Sequence, residues 1–168
     1  MKNIKLLSLL FCLVFTLPAL SQEIKPDEVK TVMKKVADWQ IEHIRDTFGN
    51  KKKPHHMLDW TNGALYVGMV KWASMADDEQ YYEWLKQIGN TYDWKLYLRK
   101  YLADDHTVGQ MYLELYRKYK EEKMMEPTKE QFDFIRLHPA TGSLKWDTPY
   151  HQDRWNWCDA LFMSPPVW

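Results

Sequence analysis

The sequence predicts an all-α fold, and three observations support this class. Five segments carry apolar residues at the three- and four-residue spacing of an amphipathic helix. No segment shows the strict alternation that is typical of a half-buried strand. Finally, residues 59–66 and 105–112 share Asp, Thr, Gly and Tyr at one fixed offset, which indicates a repeated helical unit.

The N-terminal half of the chain predicts three helices. The first begins at Pro26, has acidic residues in its first turn where the helix dipole favours them, and ends near residues 48–50. Its apolar stripe consists of Val29, Val32, Met33 and Val36. The second, residues 61–75, is apolar on nearly every side and is therefore expected to be buried. The third follows an acidic cap at residues 77–79 and ends at residues 89–90.

The C-terminal half predicts two further helices. Residues 94–101 suit either a short helix or an extended connection. Residues 105–121 keep a regular helical rhythm throughout, and a helix begins again at Pro127 and continues to residues 138–139. Residues 142–154 are expected to form a long loop.

The internal repeat favours a toroid or solenoid of helical hairpins. A third copy appears when residues 160–162 are aligned with residues 64–66, and Asp159 then occupies the glycine position of the other copies. In a closed toroid the equivalent helix starts gather around one mouth. We therefore expect the aspartates near these starts to face a common cavity: Asp59, Asp104 with Asp105, and Asp159.

The final stretch, residues 155–166, places Asp159 inside an aromatic and apolar run that a double proline ends. An ionised carboxylate there loses hydration, so it needs strong partners or a pKa raised toward the range useful for proton transfer. An aspartate at a helix start is, however, more often an N-cap than a catalyst. The neighbouring Cys158 is expected to be a buried, inert thiol.

Residues 1–21 are predicted to be a secretory signal peptide. Lys2 and Lys5 precede an apolar run at residues 6–17 that is too short to span a bilayer, and small residues follow at the cleavage position. We expect residues 22–168 to act in the periplasm or outside the cell, with no membrane attachment after the signal is removed.

The charge and cysteine content exclude several classes of function. Residues 22–168 contain 21 basic and 23 acidic residues, a net charge of about −2 without a basic stripe. This argues against a nucleic-acid-binding or anionic-membrane surface. Cys158 is the one cysteine that remains, so no intrachain disulfide is possible. The six histidines show no metal-ligand spacing.

Four segments together resemble the unsaturated rhamnogalacturonyl hydrolases of glycoside hydrolase family 105 and, more distantly, the unsaturated glucuronyl hydrolases of family 88. They are Trp60-Thr61-Asn62-Gly63, Ala103-Asp104-Asp105 with Gly109, His138-Pro139 with Gly142 and Trp146, and Trp157-Cys158-Asp159-Ala160-Leu161-Phe162-Met163. These segments occur in the same order as in the family and cover nearly all of residues 22–168.

This resemblance implies an (α/α)6 barrel, incomplete in this chain, that uses neither a metal nor an organic cofactor. Such enzymes remove a 4,5-unsaturated uronic acid from the non-reducing end of oligosaccharides that polysaccharide lyases produce. The chain corresponds to the N-terminal half of such a barrel, as a fragmentary gene product would. An open half-barrel exposes apolar faces, which favours self-association.

The resemblance also implies roles for individual residues. The general acid/base falls on Asp159 and the second active-site aspartate on Asp104, although the internal repeat makes Asp105 the equivalent position. Substrate-stacking aromatics fall on Trp157 and Trp60, each of which equally suits a hydrophobic core.

The implied reaction explains why two carboxylates suffice. Protonation of C4 of the unsaturated sugar creates an oxocarbenium ion at C5, which water captures. We expect the aromatic surroundings of Asp159 to keep it protonated, and the charge of Asp104 to assist. The alternative function is a secreted, non-catalytic α/α module that binds glycans or a protein through aromatic residues. Convergence of Asp159 and Asp104 on one cavity favours the enzyme.

Overall fold

The computed structural model describes residues 25–46, 53–142, 155 and 157–168, and all regular secondary structure among them is helical. This confirms the predicted all-α class. The predicted signal peptide and nearly all of the predicted loop at residues 142–154 lie outside the described residues. None of the described helices is both long enough and apolar enough to cross a membrane.

The chain divides into two compact units, Met1–Val32 and Met33–Trp168. In the first unit, the described residues are 25–32, and the first helix begins there at Pro26. In chain order the described α-helices are α1 Pro26–His43, α2 Trp60–Ala76, α3 Glu79–Thr91, α4 Ala103–His106, α5 Val108–Tyr119, α6 Glu126–Leu137 and α7 Ala160–Met163, with short 3₁₀ helices at Glu122–Met124 and Pro165–Val167.

Helix α1 differs from its prediction in two respects. Its core-facing residue is Ala37, flanked by the partly buried Met33 and Ile41, whereas Val36 is 55% exposed. The predicted stripe was therefore right at Met33 and wrong at Val29, Val32 and Val36, all of which are exposed. The side of the helix that meets α3 carries Asp38, which accepts a hydrogen bond from the Tyr81 hydroxyl at 2.6 Å. The helix also ends at His43, earlier than predicted.

Helix α2 lies at the centre of the core, as its uniformly apolar sequence predicts. It packs against α3 and α5, and its buried apolar side chains are Tyr66, Met69, Val70, Trp72 and Ala73. Asp59 caps its N-terminus by accepting a hydrogen bond from the Thr61 backbone N–H at 3.3 Å. Asp59 therefore has the ordinary N-cap role that a helix-start aspartate usually has.

Two glycines of the internal repeat mark close contacts between segments. A Cβ atom on Gly63 would lie 2.9 Å from Thr107 Cβ and 3.1 Å from the Val108 backbone nitrogen. A Cβ atom on Gly109 would lie 2.7 Å from Val167 Cγ1. Both positions need glycine because a side chain would collide with its neighbours.

The single helix predicted at residues 105–121 is divided into α4 and α5, with a turn at Thr107. The Thr107 hydroxyl donates a hydrogen bond to the Asp104 carbonyl at 2.7 Å, a local contact that competes with regular helix geometry. Residues 94–101, for which the sequence left two alternatives, contain no helix.

The irregular segment before α4 is held by a buried carboxylate. Asp105 is 0% exposed, and Arg99 binds it through three donors: its backbone N–H at 2.7 Å, Nε at 3.1 Å and Nη2 at 2.6 Å. The backbone carbonyl of Asp105 also accepts a hydrogen bond from the Tyr97 N–H at 3.1 Å. One residue therefore fixes the path of the chain from Tyr97 to α4.

This ion pair generates a prediction about stability. Arg99→Met leaves the buried Asp105 carboxylate without its cation, so we expect the free energy of unfolding to fall by about 1–3 kcal/mol, less than for a fully buried pair because the Arg99 side chain is half exposed. Denaturant unfolding measures the loss. Arg136→Met is the matched control, since Arg136 pairs with Asp133 on the surface and its loss is expected to cost no more than about 0.5 kcal/mol. Equal costs for the two variants would contradict the assigned role of Asp105.

Candidate active site

One cavity of about 180 Å³ brings together four of the five residues predicted to form the site. They are Asp104, Asp159, Trp60 and Trp157. The cavity forms where the start of α2, the start of α4 and the segment before α7 meet. Its remaining lining residues are Leu102, Ala103, Trp155 and Ala160.

Trp60 and Trp157 provide aromatic surface at this cavity. Trp60 is the first residue of α2 and remains 42% exposed, while Trp157 is 52% exposed. Large aromatic side chains normally bury most of their area, so partial exposure of both at a cavity is informative. Exposed aromatic faces beside carboxylates are suited to contact with a sugar ring.

Asp104 lies in the first turn of α4 and is half-buried. Burial raises the pKa of this carboxyl group, and the nearby negative charge of Asp159 raises it further. The guanidinium of Arg99 acts in the opposite direction but does not offset these effects. Asp104 therefore keeps its proton to a higher pH than an isolated aspartate does.

Asp159 immediately precedes α7, and its backbone carbonyl accepts hydrogen bonds from the Phe162 and Met163 N–H groups at 2.9 and 3.1 Å. The residue itself is exposed. The expectation that aromatic residues bury its carboxyl group was therefore wrong. Cys158 is likewise exposed rather than buried, and it forms no disulfide.

Asp105 does not line the cavity. Its side chain is buried in the protein, where Arg99 binds it. The structure therefore brings Asp104, and not Asp105, to the cavity with the other predicted site residues.

Trp155 is a lining residue that the predicted site omitted. Its indole N–H donates a hydrogen bond to the Tyr101 carbonyl at 2.8 Å, and its backbone has a positive φ of 54°. A bulky residue rarely adopts this conformation, which is found mostly where function or packing requires it. The aromatic run at residues 155–157 was the available signal, but it could not distinguish the two tryptophans.

A small apolar cluster joins α4, which carries Asp104, to α7, which follows Asp159. Ala103 of α4 is buried together with Ala160 and Met163 of α7, and Trp155 packs against them. The small alanine side chains allow the two short helices to approach closely. The Gln110 side-chain amide also donates a hydrogen bond to the Phe162 carbonyl at 2.6 Å, which ties α5 to α7.

The described residues contain no group of three or more His, Cys, Asp or Glu side chains that could hold a metal ion. What the cavity does contain is a pair of carboxylates in different environments, flanked by aromatic rings. Two such carboxylates can divide proton transfer and hydroxyl binding between them.

Comparison with known proteins identifies a family and two curated relatives. Residues 32–168 match the family model for Glycosyl Hydrolase Family 88. The chain is 33% identical over 159 residues to an unsaturated 3S-rhamnoglycuronyl hydrolase of Alteromonas sp. (strain LOR), covering 83% of this chain and 38% of that protein. It is 30% identical over 151 residues to a protein of the same name from Formosa agariphila, covering 83% and 36%. The chain thus spans less than two-fifths of the length of these curated relatives.

The pKa of Asp104 generates a prediction about stability and pH. Because the pKa of Asp104 is higher in the folded state than in the unfolded state, the ionised carboxylate destabilises the folded protein at a pH above its folded-state pKa. This destabilisation disappears as the pH falls to the pKa that Asp104 has in the unfolded state. We therefore expect Asp104→Asn to raise the Tm at pH 7, with a gain that shrinks on acidification. Calorimetry across the pH range measures this gain. The surface variant Asp133→Asn is the control and should show no gain in Tm. If the Tm of Asp104→Asn at pH 7 is equal to or lower than that of the unmodified protein, ionised Asp104 is not destabilised by burial and by Asp159.

Proposed function

Because the chain belongs to glycosyl hydrolase family 88, we propose that it carries the acid–base site of a glycosidase that releases 4,5-unsaturated uronic acid from oligosaccharides. The single observation that carries this proposal is the cavity in which Asp104 and Asp159 converge between Trp60 and Trp157. A module that only binds glycans requires the exposed tryptophans. It does not require two neighbouring carboxylates, because placing Asp104 beside Asp159 in a partly buried site is unfavourable.

The proposed reaction begins at the double bond. The ring oxygen, C5 and C4 of the unsaturated sugar form a vinyl ether, and its electron pair takes up a proton at C4. The positive charge that results is shared by C5 and the ring oxygen. Water adds at C5 and loses a proton, and the hemiketal opens to release the remainder of the oligosaccharide. One acid–base group can supply the first proton and accept the second.

We assign this acid–base role to Asp159. Its exposure allows direct contact with a sugar that enters the cavity, and its position just before α7 gives it a defined backbone. In this scheme Asp159 donates its proton to C4 and, as a carboxylate, accepts a proton from the water that attacks C5. The carboxyl group ends the cycle in its initial state.

Asp104 is assigned to substrate binding. Because its pKa is raised, Asp104 remains protonated to a higher pH than usual, and a neutral carboxyl group can donate one hydrogen bond and accept others. These hydrogen-bonding options suit the hydroxyl groups of a sugar ring.

Trp60 and Trp157 are assigned to the faces of the sugar rings. Their exposed surfaces flank the carboxylates, so a ring that stacks on either indole also lies within reach of Asp159. Stacking buries the apolar C–H face of a sugar without requiring a charged partner. The names of both relatives specify an unsaturated rhamnoglycuronyl substrate, and we extend this class of substrate to the present chain.

The central test is the variant Asp159→Asn. Unsaturated uronyl–rhamnose disaccharide is mixed with the protein, and loss of the ultraviolet absorbance of the conjugated double bond is followed over time. General acid–base catalysis contributes about 10²- to 10⁴-fold, so we expect the rate to fall by at least about 100-fold. Asp93→Asn is the matched control, because Asp93 is an exposed aspartate outside the cavity that pairs with Lys95.

Two other outcomes would contradict the proposal in different ways. If Asp159→Asn reacts as fast as Asp93→Asn, the acid–base assignment is wrong. If the unmodified protein leaves the double bond intact but the disaccharide still quenches its tryptophan fluorescence, this chain on its own binds the glycan without hydrolysing it.

A further inference from the structure

The two cavity aspartates lie on segments that cannot hold their own geometry. Asp104 is in α4 and Asp159 directly precedes α7, and each of these helices is only four residues long. A single turn of helix is unstable in isolation, because the conformational entropy lost in forming the first turn exceeds the stabilisation from its hydrogen bonds. The separation of the two carboxylates therefore depends on what joins α4 to α7.

The apolar contact between these helices does not fix that separation. Ala103, Ala160 and Met163 bury surface together, but this kind of contact is non-directional. Small sliding movements of one short helix along the other would preserve most of the buried area. Directional hydrogen bonds are needed to define one arrangement. Thr107 and Gln110, which follow α4, each make one to α7, and a further link joins α4 itself to the residue after α7.

A buried hydrogen-bond chain supplies this link. His106 is the last residue of α4, and Ser164 follows α7; both are 0% exposed. The Nε2 atom of His106 lies 2.7 Å from the Lys100 carbonyl oxygen, and its Nδ1 atom lies 2.7 Å from Ser164 Oγ. The indole N–H of Trp168 donates a hydrogen bond to Ser164 Oγ at 3.1 Å.

The chemistry of these groups fixes the direction of each hydrogen bond. A carbonyl oxygen only accepts, so Nε2 of His106 carries the hydrogen. In the neutral ring Nδ1 then accepts from the Ser164 hydroxyl, whose oxygen remains free to accept from Trp168. Burial lowers the pKa of His106, in agreement with a neutral ring. Each ring nitrogen of His106 therefore has a partner.

We propose that His106 and Ser164 are positioning residues, whose hydrogen bond sets the separation of Asp104 and Asp159 across the cavity. Neither residue lines the cavity, so the pair acts through the aspartates and not on the substrate. The catalytic consequence rests on the function proposed above, whereas the geometric claim concerns the protein without substrate.

Surrounding aromatic residues hold the histidine ring in place. Phe132 of α6 contacts the His106 ring edge-on at 5.0 Å and stacks on Trp168 at 4.3 Å. Trp155, which lines the cavity, contacts the same ring at 6.1 Å. The hydrogen-bond chain is therefore enclosed in packed rings that leave the imidazole little freedom to rotate.

The test uses Ser164→Ala and needs no substrate. The side-chain carboxyl carbons of aspartate are labelled with ¹³C, and the pKa of Asp104 is followed by NMR titration. Asp104 has a raised pKa because of burial and the charge of Asp159. If the hydrogen bond holds the segments together, its loss separates them, and the pKa of Asp104 should fall toward that of an ordinary aspartate. The ¹⁵N shift of His106 Nδ1 should change in the same variant.

Thr128→Val is the matched control. Thr128 is 2% exposed and lies in α6 outside the cavity, and its hydroxyl has no hydrogen-bond partner among the residues that the structure describes. This variant also loses one buried hydroxyl, but it should leave the pKa of Asp104 unchanged. Ser164→Cys retains a weak donor, so it should give an intermediate pKa and serves as the milder variant if Ser164→Ala does not fold.

The outcomes separate this inference from the proposed function. An unchanged pKa of Asp104 in both Ser164 variants would overturn the positioning role, whatever the activity of Asp159→Asn. Where the protein hydrolyses the disaccharide, a positioning role predicts a fall in kcat of up to about 100-fold in Ser164→Ala, with a smaller change in KM. A change confined to KM would also overturn it.

Discussion

The buried carboxylate of Asp105 is the constraint on which the candidate site depends. A fully buried charge is tolerated only when it is paired and hydrogen-bonded, and Arg99 meets both needs with its guanidinium and its backbone N–H. This pairing folds residues 97–105 into one defined path although they contain no helix before α4. Asp104, the next residue back along the chain, is thereby turned away from Arg99 and toward the cavity.

Two adjacent aspartates consequently have opposite environments. The cation of Arg99 is held by the inward carboxylate of Asp105, so its influence on Asp104 is smaller than the effects of burial and of Asp159. The raised pKa of Asp104 is thus a property of the whole arrangement rather than of one contact. Burial and the neighbouring Asp159 together favour the protonated form of Asp104 over what an isolated aspartate would show.

The sequence predicts much of this structure, and the errors have physical causes. The helix at residues 60–76 and the convergence of Asp104 with Asp159 follow from periodicity and from the repeat. The choice between Asp104 and Asp105 could not be made, because it depends on Arg99, whose position in space is set by tertiary contacts. Likewise, Thr107 packs closely against Gly63 of α2 at the turn between α4 and α5. The apolar periodicity of residues 105–121 contains no information about this tertiary contact.

The cavity is also where the chain departs most from its local preferences. Trp155 has a positive φ, and two tryptophans remain exposed. Two carboxylates line one cavity, Asp104 on a helix of a single turn and Asp159 directly before another. Each of these features costs free energy, and each persists because neighbouring packing over-determines it. The close approach of α2 to Thr107, the ion pair of Asp105 and the buried chain through His106 all converge on α4. Rigidity in that short helix is what allows an otherwise unfavourable pair of acids to face one cavity.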